Sequence, residues 1–161
     1  MTPRSALPED IKPTAQLWYD AWHETQAPHV PDTLIEQRTL ASFESRLIKM
    51  GDLLRVAGPV GAPIGMCAIR GCELHQLFVA PAGRGTGVAA ALLSDAEHRM
   101  TIAGETSAFL DCLIENEPAK RFYTRNGWVE QGVEVAHLDA QNGPFELPCL
   151  IFRKSLNYSS P

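Results

Sequence analysis

The stretch with the clearest chemical potential is Arg84-Gly-Thr-Gly87-Val-Ala89, which follows Phe78-Val-Ala-Pro81. Glycine permits positive φ and puts no Cβ between backbone and ligand. The first N–H groups of a helix point outward, with the positive end of the helix dipole behind them. Arg84 to Ala89 therefore reads as a site for a pyrophosphate, if a strand ends before it and a helix starts within it. A plain strand-to-helix turn that binds nothing fits the same residues. So does a dinucleotide site, because Gly85-x-Gly87-x-x-Ala90 matches G-x-G-x-x-G/A and Glu115 follows the next strand candidate. Two features oppose the dinucleotide reading, and with it an oxidoreductase. The loop arrives only after a long stretch of helix and antiparallel-looking strand, and the chain after it is too short and too rich in strand for a doubly wound sheet. No G-x-x-x-x-G-K-[ST] occurs, which excludes a Walker A loop.

The other reactive residue types are scattered. Cys67, Cys72, Cys112 and Cys149 form no CxxC pair, and the five histidines form no HxxxH pair, so no metal site is expected. Cys67, Cys112 and Cys149 lie in apolar segments and read as reduced core residues. The net charge of −5 is evenly spread, with 7 basic and 9 acidic residues in the first 80 and 7 and 10 in the last 81. No concentrated basic footprint exists for nucleic acid. A chain of 161 residues, 45% hydrophobic and 20% charged, is expected to form one domain over 1–161 with a sizeable core. No apolar run approaches a membrane span, and Met1 to Asp10 holds no stretch of signal-peptide length, so a cytoplasmic protein is expected.

Several elements must position the loop. Asp10 reads as the cap of a helix to about Glu24, with Pro13 in its first turn and Ile11, Ala15, Trp18 and Trp22 on one face. Thr33-Leu-Ile-Glu36 has capping-box spacing and opens a second helical region ending near Gly51. Leu53 to Ala57 and Ile64 to Ile69 read as a hairpin, followed by a strand at Glu73 to Val79. Val88 to Ala103 reads as a helix, Phe109 to Ile114 as a strand, and Glu117 to Asn126 as a short helix. Trp128 to Leu138 and Leu147 to Leu156 read as closing strands around Asn142-Gly143-Pro144. The expected fold class is mixed α/β (α+β), with one mostly antiparallel sheet flanked by helices.

The loop gains meaning from a second segment. Arg84-Gly-Thr-Gly87-Val-Ala89 resembles the R/Q-x-x-G-x-G/A acetyl-CoA loop of the GCN5-related N-acetyltransferase (GNAT) superfamily. Downstream, Asn116-Glu-Pro-Ala119-Lys-Arg-Phe122-Tyr123-Thr-Arg-Asn-Gly127-Trp128 resembles that family's N-x-x-A-x-x-F-Y-x-x-x-G-F/W segment at every marked position. The resemblance covers residues 73 to 128 in motif and roughly 10 to 156 in element order. It implies acetyl-CoA as cosubstrate and an amine as acceptor, with no metal. Such domains often pair, so a homodimer is the expected assembly.

The same resemblance implies roles. Backbone groups of Leu77, Phe78 and Val79 would pair with the pantetheine arm like an added strand. The amides of Arg84, Gly85, Thr86, Gly87, Val88 and Ala89 would take the pyrophosphate, and Asn116, Ala119 and Tyr123 would also contact the cosubstrate. Tyr123 is the candidate acid, because a phenol can donate a hydrogen bond or proton to a leaving thiolate. Phe122 would face the core. Glu73 is the candidate base, with His75 as rival and proton loss through water, without a dedicated base, as the third alternative. Strand alternation puts Glu73, His75, Leu77 and Val79 on one face, and Leu74, Gln76 and Phe78 on the other. Trp18, Trp22, His23 and His29 surround the loop that would border the acceptor, although the tryptophans read equally as core. A same-fold module that binds acyl-CoA without turnover is the alternative function.

Overall fold

The structure, a computed structural model, describes residues 1–138 and 145–156. The Asn142-Gly143-Pro144 turn lies outside the described residues. In chain order the elements are β1 (Arg4–Ser5), α1 (Pro8–Thr25), α2 (Asp32–Gln37), α3 (Leu40–Met50), β2 (Leu54–Ala57), β3 (Gly65–Arg70), β4 (Glu73–Val79), α4 (Val88–Ile102), β5 (Ser107–Leu113), α5 (Glu117–Arg125), β6 (Val129–Leu138) and β7 (Phe145–Ser155). The seven strands form one sheet in the order β1-β2-β3-β4-β5-β7-β6. Every neighbouring pair is antiparallel except β4 and β5.

Four local readings need correction. α1 begins at Pro8, where proline's fixed φ suits the first helical position. Asp10 is thus two residues inside the helix and not its cap residue, and Pro13 falls in the second turn. From there Asp10 accepts the Leu7 N–H at 2.8 Å and the Gly61 N–H at 2.9 Å, and it meets Arg4 at 2.7 Å. That cluster also explains β1, which no periodicity announced: Arg4 and Ser5 pair with Val56 and Arg55 at the sheet edge. The expected second helical region is two helices. The chain turns at Arg38, where ψ is 58°, and the Thr39 hydroxyl then accepts the Ser42 N–H to cap α3. Thr33 lies inside α2, whose cap residue is Pro31.

The sheet carries a core on each face. On one face α4 packs Val88, Leu92, Leu93, Ala96 and Met100 against Cys67, Leu74 and Phe152. Its approach to β3 is close: a Cβ on Gly65 would lie 2.8 Å from Leu92 Cδ1 and 2.9 Å from Val88 Cγ1. On the other face Trp18, Trp22, Phe43 and Leu47 pack against Leu54, Val56 and Met66. Cys67, Cys112 and Cys149 are buried and free. No helix among the described residues is long and apolar enough to cross a membrane.

Two irregularities of β4 shape everything that follows. Ala68 pairs with Gln76 and Ile69 with Leu74, so His75 is an extra residue, a β-bulge. The bulge breaks the expected alternation. Leu74 joins Leu77 and Val79 on the α4 side, while Phe78 packs on the α1 side. Secondly, β4 and β5 pair only at Glu73↔Phe109 and then separate. The remainder of β4 has an inner edge with no β5 partner.

Candidate active site

The separation of β4 from β5 opens a groove of about 700 Å³. Leu77, Phe78 and Val79 form one wall, and Asn116, Ala119 and Tyr123 form the other. Arg84, Gly85, Gly87 and Ala89 lie at one end. An unpaired strand edge offers alternating N–H and C=O groups to any extended chain with amides of its own.

The loop has the geometry of a cradle. Gly85 and Gly87 have φ of 74° and 88°, and Gly87 is the cap residue of α4. A Cβ built on either glycine would meet nothing within 4 Å. These glycines therefore do not serve internal packing. They supply positive φ and keep the backbone open to a ligand. Arg84 reaches across to α1, where its Nη2 lies 2.8 Å from Glu24 Oε2 with both groups about half exposed. Thr86 and Val88 do not line the groove. Thr86 turns both its hydroxyl and its N–H onto the Gly83 carbonyl, and Val88, the first residue of α4, is buried in the core, so of the two only Val88 could serve a ligand, through its backbone N–H.

Tyr123 stands where the groove meets a smaller cavity of about 110 Å³ that also holds His75, Asp111 and Cys112. Its ring packs against Phe122, Trp128 and Phe152, with centroids 5.3, 6.1 and 6.0 Å away. Burial raises the phenol's pKa, and the nearby Cys112, Cys67 and Asp111 raise it further. Phe122, expected in the core, is only part-buried and helps line the groove. Asn116 does two jobs: its Oδ1 accepts the Ala119 N–H at 3.3 Å, capping α5, and it also lines the groove. Cys112 and Cys149 both line this cavity, and burial pushes the first up to about 12 and the second to about 11, so both stay protonated.

A further cavity, of about 50 Å³, opens on the α1 side. Glu73 lies here and not in the groove. Its Oε1 is 2.8 Å from Arg70 Nη2 and 3.4 Å from His75 Nδ1. Burial pushes its carboxyl up, but His75 and Arg70 outweigh that and hold it below the usual range. Asp111, which the sequence reading did not single out, faces both cavities. Asp111 keeps solvent-accessible surface, and the protein crowded around it together with the Glu73 charge raises its pKa, against the opposing pull of His75 and Arg70. One signal was available: Asp111 is the lone charge in the apolar run Phe109-Leu-Asp-Cys-Leu113. Trp18 and Trp22 are 0% and 5% exposed and line this cavity, so they are both core and wall. His23 and His29 do not line it; His23 Nδ1 contacts the Tyr19 carbonyl at 2.8 Å.

A mixed sheet splayed at its one parallel pair, with a glycine cradle at the end of the resulting groove, defines an acyl-CoA N-acyltransferase fold. The chain belongs to the acetyltransferase (GNAT) family, which it matches over residues 13–128, and so to the acyltransferases as an enzyme class. Solved structures agree on the fold. A GCN5-related N-acetyltransferase from Rhodopseudomonas palustris superposes with a TM-score of 0.73 at 22% identity, covering 96% of this chain and 94% of that one. The PaiA N-acetyltransferase from Thermoplasma acidophilum, in complex with coenzyme A, gives 0.68 at 20% identity over 95% and 97%. YncA from Salmonella typhimurium, solved with its cofactor acetyl-CoA, gives 0.66 at 17% identity over 100% and 96%. No curated protein matches by sequence.

Proposed function

We propose that this chain, acting as a single domain, transfers the acetyl group of acetyl-CoA directly to a primary amine in a ternary complex. The observation that carries the reading is the position of Tyr123, at the junction of the cradle-ended groove and the cavity that holds His75 and Asp111. The loop amides would take the pyrophosphate and the inner edge of β4 would pair with the pantetheine arm. The neutral amine attacks the thioester carbon, a C–N bond forms, the C–S bond breaks and sulfur departs as thiolate. A raised pKa keeps the Tyr123 phenol protonated, so it can donate to that sulfur as charge builds. Because a thiol's pKa is ~8.5, below the phenol's, hydrogen-bond donation carries more of the effect than outright proton transfer.

Three groups compete for the amine's proton. Glu73 is held as an ion pair and its lowered pKa makes it a poor base. His75 is placed beside it by the bulge. Asp111 faces Tyr123's cavity and has the higher carboxylate pKa, so it is the favoured base, with Glu73 and His75 tuning it. The protonated Cys112 thiol argues against an acyl-enzyme route. A binding module without turnover would have no need for a phenol at the junction. The test is direct. Acetyl-CoA should raise the melting temperature, and free thiol should appear with some member of an amine panel. Stabilisation without thiol release across a broad panel supports the binding module; no stabilisation removes the reading altogether.

A further inference from the structure

The cavity of about 110 Å³ at Tyr123 has polar mouths and an apolar interior. Gln26, His75, Gln76 and Asp111 line the α1-side cavity as well, and Asn116 and Tyr123 line the groove as well. Its remaining polar side chains are thiols. The residues that line this cavity and neither of its neighbours are Leu74, Leu110, Cys112, Leu113 and Cys149. The topology puts two of them at its floor. β4 and β5 pair only at Glu73↔Phe109, and Leu74 and Leu110 are the next residues along each of these parallel strands. The wedge between the strands therefore closes on two leucines, 5% and 2% exposed. Among the described residues, no lysine or arginine lines the cavity.

Acetyl transfer uses the mouths: sulfur leaves at Tyr123, and the amine meets Asp111. It leaves the interior nearly empty, because an acetyl group carries one methyl beyond its carbonyl. An apolar cavity of ~150 Å³ holds a whole benzene ring, so about 110 Å³ takes a group of roughly four carbons. Resting on the acyltransferase reading, we propose that the site also accepts straight acyl chains of three and four carbons, propionyl and butyryl, and holds them more tightly than acetyl, with the tail among Leu74, Leu110, Cys112, Leu113 and Cys149. The transfer balances as it does for acetyl: the C–N bond forms at the acyl carbon, the C–S bond breaks, the amine's proton passes to Asp111, and sulfur leaves as thiolate. A tail ending in a carboxylate would bury its charge among leucines with no cation to meet it. Succinyl, a four-carbon chain of that kind, is rejected.

The test measures dissociation constants by calorimetry on the full chain, without acceptor, for CoA and its acetyl, propionyl, butyryl, hexanoyl and succinyl thioesters. Each buried methylene tightens binding about fourfold. Butyryl-CoA should therefore bind about tenfold or more tightly than acetyl-CoA, with propionyl-CoA between them. Hexanoyl-CoA should bind no more tightly than butyryl-CoA, because the floor is closed, and succinyl-CoA should bind about tenfold or more weakly than butyryl-CoA. Leu74→Ala lowers the floor, so hexanoyl-CoA should overtake butyryl-CoA in that variant. An unchanged order in the folded variant overturns the placement of the tail. Should Leu74→Ala fail to fold, the wild-type series decides alone. Equal or falling affinity from acetyl to butyryl overturns the proposal. So does affinity that keeps rising through hexanoyl, since such a chain lies outside the cavity, and so does succinyl-CoA bound as tightly as butyryl-CoA. If CoA itself binds, these failures leave the transferase reading standing. If neither CoA nor any thioester binds, both fall.

Discussion

Replacing Tyr123 with phenylalanine removes one oxygen and leaves the ring. The ring makes the packing contacts, with centroids 5.3–6.1 Å from Phe122, Phe152 and Trp128, and the phenol makes no side-chain hydrogen bond among the described residues. The fold should therefore lose less than about 1 kcal/mol, which for a chain of this size is a melting change of at most ~4 °C. The transition state loses more. A hydrogen bond to a charged group is worth ~1.5–3 kcal/mol, and a single donor to a developing oxyanion can reach ~4 kcal/mol. At ~1.4 kcal/mol per decade, kcat should fall about 10- to 1,000-fold. The KM for acetyl-CoA should hardly move, because the loop amides are untouched. Steady-state thiol release at varied acetyl-CoA separates the two constants, and melts with and without acetyl-CoA check fold and binding. Since the phenol's pKa is raised above its ordinary ~10, the wild-type pH profile should show no falling limb from Tyr123 below that pH. Wild-type kcat in the variant would refute the assignment. A large melting drop alongside the lost kcat would reassign Tyr123 to packing.

Other perturbations address the remaining parts. Gly87→Glu puts a carboxylate in the cradle at a φ of 88°, costing roughly 1–2 kcal/mol of strain without a clash, and should abolish the acetyl-CoA melting shift in a folded protein; an unchanged shift would take the loop out of the cosubstrate site. In the pH profile of kcat/KM, Asp111→Asn should remove the enzyme's rising limb. Glu73→Gln should move that limb to lower pH, because the Glu73 charge helps raise Asp111. Two acceptors of different amine pKa identify which limb belongs to the enzyme, and wild-type profiles in both variants would rule out both carboxylates as base. Asp10→Asn should cost about 3 kcal/mol at neutral pH by leaving Arg4 without its carboxylate. Arg4 holds the Asp10 pKa far below its unfolded ~3.9, so the stabilisation is complete above that pH and drains as pH falls toward the folded value. Urea unfolding should thus show a smaller gap between wild type and variant at pH 3 than at pH 7, and an equal gap would contradict the linkage.

The family signature carried by short segments was legible in the chain itself. Gly85 and Gly87 before a helix, and Asn116 to Trp128 on a strand-to-helix turn, have their meaning within a dozen residues, because positive φ and helix spacing are local properties. The long elements around them were legible for the same reason: apolar periodicity belongs to one segment. What the sequence did not display is whatever depends on a partner strand. β1 exists only because Val56 and Arg55 are there to pair, and Asp10 to hold Arg4. The extra residue at His75 follows from how β3 and β4 register, and it moves Leu74 to the α4 side, while Gln76 stays with Phe78 on the side of Trp18. Period-two reading of β4 fails there, since alternation assumes a strand without an insertion. Asp111 was visible as an odd charge in an apolar run, but its exposure to two cavities comes from the parting of β4 and β5 after one pair. The sequence by itself determined the family, the two positive-φ glycines ahead of a helix and the place of a tyrosine in the segment after the next strand. The tertiary structure decided which charged side chains meet that phenol, because a strand's side chains acquire neighbours only when its register with other strands is set.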